Sequence, residues 1–409
     1  MQFLQITAMN LNNLIDKIGI KQKEENKALD EYIENSNKKK EKLENLLSRF
    51  SEIINDRTNP SLGGEDGIEN YYNWVYKNIN NFDIENLDML DKEDLPVYNV
   101  IREDYSTNEK FGLFLSALIN KNIKNGEEIQ LNLPIPIHYL FYKLENAKAH
   151  VNIAGDYLGN YAKNSEIYAG EAKDNAGLEM QGCELHVNIA GDYLGDRAKN
   201  SKIYAGEAMN YAGRDIEGCE LHVKKAQNYL GTSAKNSKIY TDEAGDNTGE
   251  NIEGCELHVN ISDYYLGENS KSSKIYANKS KDNIGCYMNG CELHVNIAGD
   301  YLGYKAKNSK ISTNQAGEFA GLDIEECELH VRKAGNYLGD SAKNSKIYAD
   351  EAEYVAGSSM KDSELYIYKL EGELDESCLT GNNKVYLGKE SYKKFPEYRR
   401  KVKIWKEKT

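Results

Sequence analysis

Proline is scarce in this chain, at 5 of 409 residues. No apolar run approaches the roughly 18 residues that a membrane span requires. The opening MQFLQITAMNLNN lacks the charged region and cleavage site of a secretory signal, so a soluble, cytoplasmic protein is expected. Positive charge is in the minority, 51 Lys and Arg against 66 Asp and Glu, and the net charge of −15 argues against a nucleic-acid or anionic-membrane surface. Cysteine is sparse and regular: Cys183, Cys219, Cys255, Cys291 and Cys327 recur every 36 residues. Stacked two coils apart, at about 9.6 Å, these sulfurs are too distant for a disulfide or for sharing one zinc ion. They are expected to be buried thiols in a reducing compartment. The chain holds no P-loop, zinc-finger spacing, HExxH, CxxC or nucleophile elbow, and nothing in it points to a cofactor or a metal.

What fills the chain instead is a repeat. Residues 183–200 read CELHVNIAGDYLGDRAKN and residues 201–218 read SKIYAGEAMNYAGRDIEG, and the pair recurs over more than half of the sequence. Twelve units of 18 residues run from Ala147 to Asp362 without insertion or deletion. A fixed short period marks a solenoid in which each coil buries its apolar side on the next. Position 13 is always glycine: Gly159, Gly177, Gly195, Gly213, Gly231, Gly249, Gly267, Gly285, Gly303, Gly321, Gly339 and Gly357. Such a column requires positive φ or close approach of the next coil. Position 18, mostly Asn or Gly, is a second corner, so each coil is expected to run strand, corner, short strand, corner. The inward set is positions 1, 3, 5, 8, 12 and 16. Large and small residues alternate along it, Val187, Leu194 and Ala198 followed by Ala205, Ala212 and Ile216, which explains a 36-residue repeat built on an 18-residue coil.

The flanks differ. Residues 1–58 carry helical spacing with a weak point at Asn35 to Asn37, giving either a helical hairpin or one long helix and a surface for self-association. NPSLGGEDG at 59–67 is a break within a small helical domain over 59–128, where Thr107 looks like an N-cap. Residues 129–146 fit the repeat frame but place Phe141 where later coils have glycine, as expected of a capping coil. The β-helix proper spans 147–380, its last coil eroding from Ser363. Residues 381–409 are basic, and a helix starting at Pro396 with Tyr398, Val402 and Trp405 on one face would cover the open edge or dock an acidic partner.

The string A-G-D-Y-L-G, varied as A-G-N-Y-L-G at Ala334 to Gly339 and A-G-E-F-A-G at Ala316 to Gly321, resembles the GXGXG glycine-repeat domain. That domain occurs in the large subunit of glutamate synthase and in one of the subunits of formylmethanofuran dehydrogenase. The resemblance covers roughly residues 129–380, with Asn188 standing for the first glycine of the pattern and Gly191 and Gly195 for the others. It implies a right-handed, single-stranded parallel β-helix used as a structural module beside catalytic domains or subunits, and it carries over no catalytic residue.

Several columns could do more than fold. Position 4 holds His150, His186, His222, His258, His294 and His330 in alternate coils, with Tyr168, Tyr204, Tyr240, Tyr276 and Tyr348 between them. Position 4 faces out, so the column is either an aromatic ladder of purely structural role or a partner-contact face. Position 2 alternates Glu and Lys, as Glu184, Lys202 and Glu220, placing opposite charges beside each other. Position 10 is rich in Asp and Asn, suited to turn capping or to adventitious cation binding. The expected function is a non-catalytic scaffold that assembles with a protein partner or larger complex. The alternative, suggested by the resemblance, is an accessory subunit of a redox or amidotransferase enzyme.

Overall fold

The computed structural model describes residues 27, 31, 34, 41, 44–79 and 96–405. The choice between hairpin and long helix over residues 1–58, and self-association through them, lie mostly outside the described residues. Residues 44–55 form α1, followed by α2 (Gly64–Asn78), α3 (Pro96–Glu103) and α4 (Tyr105–Asn122). The break near Asn59 is shorter than expected, because α2 begins within it. Asp104, not Thr107, is the N-cap of α4: its carboxylate accepts from the Thr107 backbone N–H, and the Thr107 hydroxyl, with smaller help from that backbone bond, holds it below the usual carboxylate range.

The rest is a mainly β, parallel solenoid. One sheet of 16 strands runs in sequence order from β1 (Glu128–Leu131) to β16 (Val402–Ile404). Between β2 (Lys148–Ala154) and β13 (Lys346–Ala352), each strand has seven residues and lies parallel to the next at an offset of 18, as Glu184↔Lys202 and Leu185↔Ile203 illustrate. The inward set is as expected: Cys183, Leu185, Val187, Ala190, Leu194 and Ala198 are at most 3% exposed.

The second strand of each coil is reduced to a single bridging residue, such as Lys199↔Glu217. The intervening turns carry positive φ at four positions per coil, shown by Tyr193 (62°), Gly195 (68°), Arg197 (55°) and Asn200 (48°). The backbone accepts this because successive N–H groups alternate between neighbouring coils: Tyr193 donates forward to Asn210 O, Gly195 back to Ala176 O, Arg197 forward to Arg214 O and Lys199 back to Met180 O. No ladder partner is lost although the segment is not a strand. A non-glycine residue at positive φ costs about 1–2 kcal/mol, and ring stacking of Tyr193 on Tyr211 at 5.0 Å and of Tyr211 on Tyr229 at 4.5 Å offsets part of it.

Every position-13 glycine has φ between 64° and 76°. Each also lies under a core residue of the following coil: a Cβ on Gly195 would sit 2.3 Å from Ile203 Cδ1. Phe141 adopts the same backbone, φ 59°, in the capping coil, with its ring fully buried.

Helix α4 closes the N-terminal edge. Asn108, Gly112, Ser116 and Asn120, four residues apart, form one face of it. Asn108 donates to Pro136 O and accepts from His138 N, Ser116 donates to Tyr139 O and accepts from Tyr142 N, and Asn120 donates to Tyr142 O. Gly112 allows this approach, since a Cβ there would lie 1.7 Å from His138 O. Above the polar stripe, Phe50 meets Phe111 edge-on at 4.9 Å, within an apolar core continuous with that of the coils.

At the other end the expected helix over Pro396 to Trp405 gives way to a different cap. The helix is α5 (Lys389–Lys394), which stops before Pro396, as the restriction on residues preceding proline favours. Lys394 Nζ donates to Glu371 O, and Ser391 Oγ accepts from Leu370 N, so α5 does cover the eroding coil that begins at Ser363. Val402 to Ile404 are instead a strand paired with β15 (Lys384–Leu387), because the unpaired backbone of β15 offers those residues hydrogen bonds that a helix there would leave unused.

Gly112→Ala is expected to destabilise the protein by about 3 kcal/mol and Ser116→Ala by about 1–3 kcal/mol. Thermal melts followed by circular dichroism check this. Unchanged melts for both variants would mean that α4 does not seal the first coil.

Candidate partner-binding groove

The position-4 rings sit on the outer face of the sheet because that position lies between inward Leu185 and Val187 and their counterparts. From His150 to His294 the imidazoles and phenols stack in one unbroken pile, with centroids 4.6 to 5.3 Å apart and planes within 18°. After Ser312 the pile resumes: His330 on Tyr348 at 4.5 Å, Tyr348 on Tyr366 at 4.7 Å and Tyr366 on Tyr386 at 4.4 Å. Every expected ladder residue is therefore in place. Tyr366 and Tyr386 extend the ladder past the expected end, and ELYI at 364–367 and KVYL at 384–387 still carry the frame that would have revealed them. Lys403 lies over the last ring, 5.8 Å from the centroid of Tyr386, and Trp405 packs edge-on beside the pile, 5.8 Å from the Tyr366 ring.

The position-2 carboxylates do something unforeseen. Glu and Lys are in register, but close ion pairs between them occur at the ends, Lys148–Glu166 at 3.6 Å and Lys384–Glu364 at 2.7 Å. Along the middle each glutamate turns to the histidine two residues on in its own strand. Glu184–His186, Glu220–His222, Glu256–His258, Glu292–His294 and Glu328–His330 lie 2.7 to 2.9 Å apart through Nε2. Residues i and i+2 share a strand face, so this contact is always available. The histidine hydrogen bond lowers Glu220, Glu256, Glu292 and Glu328 below the ordinary carboxylate range, with smaller help from neighbouring lysines. Partial burial in the stack raises Tyr168, Tyr204 and Tyr348.

Position 6 forms the opposite wall. Asn278 Nδ2 donates to Asn260 Oδ1, Asn296 to Asn278 and Asn314 to Asn296, an amide ladder parallel to the ring ladder. Between the walls runs a groove of 1410 Å³ reaching from His186 to Asp350. At about 4.8 Å per coil it is about 43 Å long. The rings present edges to it, not faces, since their faces are covered by each other.

The remaining columns are structural. Position-10 side chains accept backbone N–H groups of the next coil, as Asp174 Oδ1 does from Asp192 N at 2.9 Å, which is the turn-capping role. The position-1 thiols alternate with serines, Cys183 N donating to Ser201 Oγ and Ser201 N to Cys219 Sγ. All seven cysteines are free and buried, and burial pushes Cys286 and Cys378 up to about 12. Among the described residues no three His, Cys, Asp or Glu side chains converge on a metal-binding point, and no helix is long and apolar enough to cross a membrane. The position-11 ring stacks were not anticipated, though the tyrosines of the A-G-D-Y-L-G string mark them. No protein-family profile, curated protein or solved structure matches the chain.

Lowered carboxylates stabilise the fold above their unfolded pKa of about 4.3 and lose that contribution as pH falls through their folded values. The melting temperature is therefore expected to hold above about pH 5 and to drop below it. A variant with Glu220, Glu256, Glu292 and Glu328 all changed to Gln should melt lower at pH 7 and show a smaller drop between pH 6 and pH 4. An equal drop in the variant would show that these pairs contribute nothing.

Proposed function

We propose that the protein is a non-catalytic scaffold that binds an elongated protein partner along the His/Tyr groove. The observation that supports this is the continuity of the groove: it runs over ten coils, from His186 to Asp350, with ring edges along one wall in every coil but that of Ser312, an amide ladder from Asn260 to Asn314 on the other, and no side loop interrupting it. Enzymes on solenoids build reaction centres from loops and insertions that depart from the repeat, whereas an even surface suits an extended contact. The walls are preorganised: His186, His222 and His258 are each fixed by a glutamate and two ring neighbours, and His294 and His330 by a glutamate and one, so little side-chain entropy is lost on binding. The GXGXG-like glycine pattern adds the expectation that such a module packs beside another domain or subunit.

The test uses the tagged full-length chain recovered from its native extract. A single partner in fixed stoichiometry is expected by size-exclusion chromatography and mass spectrometry. The triple variant Asn260→Arg, Asn278→Arg, Asn296→Arg should lose it while melting within a few degrees of the parent. Recovery of free monomer, or a partner that the triple variant retains, contradicts the proposal.

A further inference from the structure

Coil 309–326 breaks the ring ladder. Its position-4 residue is Ser312, in register between His294 and His330 where the other coils of its kind from Tyr168 to Tyr348 supply tyrosine. The two imidazoles are thus two coils apart, about 9.6 Å, and a ring midway would lie about 4.8 Å from each. That is the spacing of the intact ladder, 4.6 to 5.3 Å. The gap has fixed walls. His294 stacks on Tyr276 at 5.3 Å and is held by Glu292 at 2.9 Å, and His330 stacks on Tyr348 at 4.5 Å and is held by Glu328 at 2.9 Å. The Ser312 hydroxyl forms the floor and bonds to His294 Nδ1.

Two open polar groups stand across the groove from this gap. The amide ladder ends at Asn314: its Nδ2 is used on Asn296, but nothing in the next coil donates to its Oδ1 among the described residues. The next coil supplies Arg332 instead, which lines the same groove and makes no ion pair or hydrogen bond among the described residues. A missing ring, an open carbonyl and an unpaired guanidinium therefore meet within two coils.

We propose that this notch is a binding socket for one planar aromatic ring carrying an anionic group. The ring would fill the vacant level between His294 and His330, and its carboxylate or phosphate would face Arg332, with Asn314 Oδ1 accepting any ring N–H. Stacking on two faces favours an aromatic ring over a saturated one, and guanidinium pairing favours an anion. This goes beyond the scaffold reading and does not rest on it: the socket needs only two coils, and a small ligand in it would leave the remainder of the groove open.

The test is titration of the full-length protein with indole-3-carboxylate, indole and cyclohexanecarboxylate, read by saturation-transfer NMR and calorimetry. Indole-3-carboxylate should bind one to one with a dissociation constant below about 1 mM, and cyclohexanecarboxylate should bind far more weakly. Ser312→Tyr restores the residue found in the other coils of this kind, so the variant should fold, melt at the same or a higher temperature, and lose binding. Arg332→Gln should weaken the indole acid about tenfold while leaving indole unchanged. Absence of binding to the parent, equal binding by the saturated acid, or binding that survives Ser312→Tyr would overturn the proposal.

Discussion

The parallel backbone ladder, held at a fixed offset of 18 residues from β2 to β14, is the constraint on which everything else depends. Because the offset never changes, each side chain lies over the residue 18 positions away, and a coil's chemistry becomes a column. Parallel pairing puts like positions together about 4.8 Å apart, close enough for rings to stack, amides to bond and charges to repel. A column of identical large or like-charged residues would then be unfavourable. The chain avoids this by making adjacent coils different and alternate coils alike. From Glu184 onward Glu and Lys alternate at position 2, Ser follows Cys at position 1, and buried Ala212 and Ile216 lie over Leu194 and Ala198.

Closing the array needs something other than a repeat at each end, and the two ends use different means. At the first coil a helix offers side-chain amides and a hydroxyl to the backbone, with Gly112 permitting the approach. At the last, two short strands continue the sheet, α5 covers the coil beside them, and Trp405 packs against the side of the ring pile. Between the caps the ring ladder runs without interruption except at Ser312, and an amide ladder lies beside it from Asn260 to Asn314, so the ring wall of the groove has one local defect.

The coil was legible because its signals repeat. Twelve glycines in register required a turn, and six inward positions could be counted from apolar spacing alone. The outward position of His186 and Tyr204 followed from strand alternation. Features that depend on single occurrences were less legible. Nothing in Tyr193 or Arg197 as residue types signals positive φ, since backbone bonds to neighbouring coils impose it. The Glu220–His222 contact competes with an equally plausible pairing to Lys238, and only side-chain placement decides between them. Val402 to Ile404 read as helical by spacing, yet the open edge of β15 makes them a strand. The groove needed the structure, because it depends on two outward columns being considered together.

The central claim is that two coils, not one, are the unit of stability, and paired deletions test it most directly. Deleting residues 219–254 removes one coil of each kind and joins Gly218 to Cys255, preserving every alternation. Deleting residues 219–236 alone would stack Lys202 on Lys238, Tyr204 on Tyr240 and Ile216 on Ile252, and leave Ala205 and Ala212 facing other small residues. The shorter deletion is expected to be less stable than the longer one by about 1–3 kcal/mol in thermal or denaturant melts. A shorter deletion as stable as the longer one would contradict the account.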